Sequence, residues 1–100
     1  MSRPIAVIGC GLVGRAWAIV FARAGRTVVL FDAKAGAAAA ARELIGRSLD
    51  DLAAFRLIED PAAVLQRISV AESLAAALDG AEYAQESVFE RVDIKTQLFA

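Results

Sequence analysis

The chain has 100 residues, with 11 basic and 12 acidic side chains, a net charge of −1 and no histidine. That length suits one domain at most, and a hydrophobic content of 58% supplies ample core material. Near-neutral charge without a basic patch gives no footprint for nucleic acid, and Arg3, Arg15, Arg23 and Arg26 interrupt the N-terminal apolar region too often for a membrane span or a secretory signal.

The apolar run Ile5 to Ile8 predicts a buried parallel strand. It breaks into Gly9-Cys10-Gly11-Leu12-Val13-Gly14, and an Ala-rich helix is expected from there to Ala24. Strand, glycine turn and helix in this order are the context that a dinucleotide fingerprint requires. Gly9 allows the tight turn, Gly11 leaves the backbone open to a pyrophosphate, and Gly14 lets the helix approach its strand. The helix N-terminus adds unpaired N–H groups and the positive end of a dipole. Cys10, the only cysteine, has no internal disulfide partner and fits a reducing cytoplasm. Two roles stand for it: a small filler of the turn, or a reactive thiol at a helix N-terminus.

Within the helix, Val13, Trp17, Val20 and Ala24 share one stripe, while Gly14, Ala18 and Ala22 share another. The small residues permit close packing on a sheet. Trp17 reads as a packed aromatic, with ligand contact as the alternative. Gly25 marks the helix stop. Thr27 to Phe31 predicts a second strand, ending in Asp32. An acidic residue there accepts both hydroxyls of an adenosine ribose and repels the additional phosphate of NADP, so the expected cofactor is NAD.

Helical spacing resumes from Ala33 to about Phe55, with Ile45, Leu49 and Leu52 apolar and Arg42, Glu43, Arg47, Asp50 and Asp51 on a solvated face. Asp60-Pro61 opens a short helix to about Gln66. Ile68 to Ala71 predicts a third strand, Ser73 caps a brief helix through Leu78, and Asp79-Gly80 makes a turn. Tyr83 to Val88 predicts a fourth strand, and a last helix is expected from about Arg91. The order describes an α/β Rossmann-type doubly wound parallel sheet, N-terminal portion only, so the expectation is an incomplete NAD-binding domain at residues 1–100 of a longer chain. No metal site is expected.

Three strings carry a family likeness: Val7-Ile8-Gly9-Cys10-Gly11-Leu12-Val13-Gly14-Arg15-Ala16-Trp17-Ala18, then Val29-Leu30-Phe31-Asp32, then Gln85-Glu86-Ser87-Val88-Phe89-Glu90-Arg91-Val92-Asp93-Ile94-Lys95. Over essentially its whole length the chain resembles the N-terminal part of the 3-hydroxyacyl-CoA dehydrogenase family, nearest to the branch of lambda-crystallin, L-gulonate 3-dehydrogenase and the carnitine dehydrogenases. The resemblance implies that Leu12 and Val13 face the pyrophosphate through their backbone, that Asp32 holds the ribose, and that Glu90 and Lys95 lie near the nicotinamide. Read without it, Glu90 and Lys95 are an ordinary solvated pair. Ser48 matches a position that contacts CoA, but the basic residues that follow in acyl-CoA members are replaced by Asp50 and Asp51, which repel CoA's phosphates. Phe89 stands where members of the branch often carry proline.

The implied activity is NAD-dependent oxidation of a small 3-hydroxyacyl compound, with a place in fatty acid metabolism or a non-CoA hydroxy acid such as L-gulonate or carnitine as substrate. The implied base is a histidine paired with a glutamate, so no catalytic residue is expected in this chain. A helical domain beyond Ala100 is expected to close the substrate site and form a cytoplasmic homodimer. The competing expectation is a nucleotide-binding or structural protein without turnover, as in a crystallin.

Overall fold

The computed structural model describes residues 3–86. It contains β1 (Ile5–Ile8), α1 (Leu12–Arg23), β2 (Val28–Phe31), α2 (Ala37–Ala54), α3 (Pro61–Gln66), β3 (Ile68–Val70), α4 (Leu74–Leu78) and β4 (Tyr83–Glu86). The four strands form one sheet in the order β3-β2-β1-β4, and every pairing is parallel. This is the first half of a doubly wound sheet, as expected. β1, β2 and β3 step outward in one direction, and the chain then crosses back to lay β4 on the other side of β1. Right-handed crossovers therefore put α4 on the face opposite α1 and α2. The reversal lies between β1 and β4, where such sheets open a ligand crevice at the carboxyl ends of their strands.

Ile5, Ala6 and Val7 of β1 are buried together with Val28 and Leu30 of β2, because a central parallel strand is covered on both faces. Gly14, Ala18 and Ala22 form the buried stripe of α1, and Ala38, Ala41, Ile45 and Leu49 that of α2. Each fully buried leucine or isoleucine contributes about 1.5–3 kcal/mol relative to exposure. The other stripe of α1 is not core. Trp17 stacks on Phe21 at 5.6 Å between ring centroids, yet 39% of it remains exposed. Val13 and Val20 are exposed beside it. Alanine and glycine bring α1 close to the sheet, Ile19 and Phe21 pack partly buried against the core, and Leu12, Val13, Trp17 and Val20 remain exposed.

The helix ends follow their local chemistry. α1 stops at Ala24, where Gly25 takes φ +90°, its N–H bonds Ala22 O and the Arg26 N–H reaches Phe21 O. That pair of bonds is the Schellman arrangement, which a glycine at this position favours. Asp60 accepts from the Ala63 N–H at 3.1 Å with Pro61 behind it, and Ser73 accepts from the Ala76 N–H at 3.0 Å.

Two expectations need correction. α2 begins at Ala37 rather than Ala33, because Asp32 and Lys34 form a side-chain-to-backbone turn and Gly36 adopts φ +78° before the helix starts. Arg42 is not on a solvated face: it donates to Ile68 O at 2.7 Å and Leu65 O at 3.2 Å, tying α2 to the α3–β3 junction. Thr27 and Ala71 fall just outside their strands. The continuation of β4 to Val88 and the helix from Arg91 lie outside the described residues.

Candidate functional site

The carboxyl ends of three strands meet at one level, since the register pairs Ile8 with Phe31 on one side and with Glu86 on the other. The chain leaves β1 through Gly9, at φ +92°, while the Gly9 N–H holds Phe31 O at 2.8 Å. A bulkier residue is strained at that φ, which accounts for the first glycine. The third glycine answers to space. A Cβ on Gly14 would overlap the carbonyl oxygen of Gly9 and stand 3.5 Å from Val7 Cγ1. α1 is therefore seated directly against the turn that precedes it.

Gly11 is the N-cap of α1 and contributes no side-chain cap, and the first turn contains no acidic residue. The opening N–H groups of a helix have no intrahelical acceptor, so the turn presents donors and an uncompensated positive dipole end. Gly11, Leu12 and Val13 are exposed there, whereas Gly9, Cys10 and Gly14 are buried. Turn, donors and open backbone fit a pyrophosphate.

Asp32 closes the other side. Its Oδ2 accepts from the Cys10 N–H at 2.8 Å and its Oδ1 from the Lys34 N–H at 2.9 Å. One carboxylate thus joins the glycine turn to the loop after β2. The end of β2 predicted an acid here, but neither backbone donor was legible, since both depend on how the two loops converge. Fixed by two charge-assisted bonds, the group keeps lone pairs for a diol.

The Cys10 thiol is buried and lies 3.5 Å from Phe31 O. Burial first, and the Asp32 charge second, push its pKa up to about 11. The filler role is the one this environment supports. At pH 8 its thiolate fraction falls about a hundredfold below that of a free thiol. Alkylation by iodoacetamide, followed by mass spectrometry, is expected to be correspondingly slow in the folded chain and ordinary after denaturation.

Beside the turn, Cys10, Arg15, Lys34, Gly36, Ala37 and Leu44 help to line a cavity of about 390 Å³. Sequence reading assigned no role to Arg15 or Lys34. Ser48 is exposed on α2 and is not among the residues lining this cavity. Glu90 and Lys95 lie outside the described residues.

Residues 4–100 match the model of a family described as 3-hydroxyacyl-CoA dehydrogenase, NAD binding domain. The chain belongs to this family. Its cofactor is accordingly NAD. The chain is 33% identical to lambda-crystallin of Oryctolagus cuniculus, covering 100% of this chain and 34% of that protein. It is 38% identical to L-carnitine dehydrogenase/betainyl-CoA thioesterase of Agrobacterium fabrum, covering 96% of this chain and 19% of that one. Among solved structures, 3-hydroxybutyryl-CoA dehydrogenase from Escherichia coli superposes with a TM-score of 0.81 at 29% identity, over 100% of this chain and 21% of that one. The chain thus spans about a third or less of these relatives. Among the described residues, no helix is long and apolar enough to cross a membrane.

Proposed function

We propose that this chain supplies NAD binding to a protein that oxidises a small 3-hydroxyacyl compound. The observation that carries the reading is the Asp32 carboxylate, locked by the Cys10 and Lys34 N–H groups beside a glycine turn that opens a helix. NAD, when bound, supplies the hydride acceptor. Asp32 receives the adenosine ribose hydroxyls, Gly11 leaves room for the pyrophosphate, and the first turn of α1 at Leu12 and Val13 donates backbone N–H groups to it. Gly9 and Gly14 hold that turn in shape. Glu90 and Lys95 are assigned to the nicotinamide side.

Asp50 and Asp51, on α2 after Ser48, favour a substrate without CoA, such as L-gulonate or carnitine, and the similarity to an L-carnitine dehydrogenase supports the same choice. The assembly proposed is a cytoplasmic homodimer formed through a helical domain outside these residues. The likeness to lambda-crystallin keeps a structural role without turnover as the second reading. NADH formation by the whole protein separates the two.

The cofactor assignment has a direct test. Calorimetric titration is expected to give NAD at least a tenfold preference over NADP, or about 1.4 kcal/mol. Asp32→Ala should erode that preference mainly by weakening NAD. Equal affinity of the unmodified protein for both cofactors would overturn the role given to Asp32.

A further inference from the structure

The flank of α1 that faces β4 carries a row of aromatic side chains. Trp17 stacks on Phe21 at 5.6 Å, and Phe21 meets the edge of Tyr83 at 6.3 Å between ring centroids. These three rings, with Gln85, help to line a cavity of about 370 Å³ over the β1–β4 pair. Trp17, Val20 and Tyr83 are 39%, 53% and 52% exposed, a contiguous apolar surface of the kind that marks an interaction site. Its charged and hydroxyl groups are already paired. The Tyr83 hydroxyl donates to Gln85 Oε1 at 2.9 Å, and Arg26 meets Glu82 at 3.2 Å on the rim. The face therefore suits an apolar partner rather than a charged one.

The doubly wound pattern does not cover this face. A right-handed connection from β4 to a strand laid beyond it runs on the side of α4, opposite α1. Val13, Trp17, Val20 and Ala24 recur at spacings of four, three and four, the seam along which one helix meets another. The seam is short. It is about 16 Å long and about 10 Å wide, a footprint on the order of 160 Å² against the roughly 800 Å² that each partner of a stable complex buries. So small a contact holds when its two sides are tethered, because tethering raises their effective concentration. About two thirds or more of each relative lies outside the stretch that this chain matches. We propose that the seam docks a helix of the remaining part of the same protein. The inference rests on the helical domain proposed above. Because α1 also donates to the cofactor at its N-terminus, docking along it sets the distance between NAD and the domain that carries the base.

The test uses the whole protein carrying Val20→Cys, with maleimide labelling of that residue followed by mass spectrometry over a dilution series. Labelling is expected to be at least about tenfold slower in the folded protein than after denaturation, and equally so at every concentration. Val20→Asp places an unpaired charge on the seam and should lower NADH formation at least about tenfold, while NAD affinity stays within about twofold. Labelling slowed less than that would overturn the inference. So would protection that disappears on dilution, which would assign the face to a second copy of the chain. NADH formation unchanged by Val20→Asp would overturn it as well, with NAD binding still standing. An unmodified protein that fails to bind NAD would instead overturn the functional reading, and the labelling result would still decide the docking. Should circular dichroism show Val20→Cys unfolded, Ala24→Cys, exposed on the same seam, is held to the same outcomes.

Discussion

Gly14→Val is expected to unfold the domain, whereas Gly11→Val is expected to leave it folded and unable to bind NAD. The two glycines stand three residues apart and answer to different constraints. At Gly14 an added Cβ overlaps the Gly9 carbonyl oxygen and comes within 3.0 Å of the Gly9 carbonyl carbon. Both obstacles are backbone atoms. Gly9 cannot retreat easily, because its N–H is bonded to Phe31 O at 2.8 Å. Separating α1 from β1 would also pull Ala18 and Ala22 out of the core. The expected cost exceeds about 4 kcal/mol, most of the stability of a small domain. Gly11 is exposed, and its φ of −73° with ψ of −166° is open to any L-residue. Valine there costs at most about 1 kcal/mol as a poor N-cap. Its branched side chain would nevertheless stand where the pyrophosphate meets the backbone, and affinity should fall at least about a hundredfold. Thermal melts and NAD titrations on both variants separate the effects. Equal losses of stability and binding in the two would overturn the roles assigned.

The contrast also shows what the sequence could and could not convey. Glycine spacing identified the turn because each glycine reflects a local demand: a positive φ at Gly9 and a contact without Cβ at Gly14. Strands β1 and β2 were legible because buried parallel strands are short runs of apolar residues. The start of α2 was not, since its Ala-rich sequence favours helix throughout. The delay comes from the Asp32–Lys34 turn and the left-handed Gly36. Arg42 carried the pattern of a surface residue, and only the arrival of Ile68 and Leu65 beside α2 gives its guanidinium two carbonyls to hold. In the candidate site the same division holds. Asp32 was found from its place after a strand, while its partner Cys10 lies 22 residues away and is brought to it by the β1–β2 register. Contacts that depend on two loops meeting leave no periodic trace in either loop.

No dehydrogenase turnover is expected from these 100 residues alone, however well they fold. Oxidising an alcohol requires a base within hydrogen-bond reach of the hydroxyl proton as hydride departs. Histidine is the usual choice because its pKa lies near working pH, and the chain contains none. Glu86 is the nearest substitute among the described residues, level with Ile8 at the carboxyl end of β4. It is exposed there, and an exposed carboxylate does not enclose a substrate hydroxyl away from water as a catalytic pocket does. The Asp32 carboxylate is already engaged by two backbone donors at the ribose end. With NAD present and L-carnitine, L-gulonate or a 3-hydroxyacyl-CoA as substrate, NADH formation should fall at least about a hundredfold below that of the whole protein, the lower bound for losing a positioned base. The whole protein should reduce NAD with one of these compounds. Comparable rates from the 100-residue chain and the whole protein would move the catalytic base into this domain and overturn the division between cofactor binding here and chemistry elsewhere.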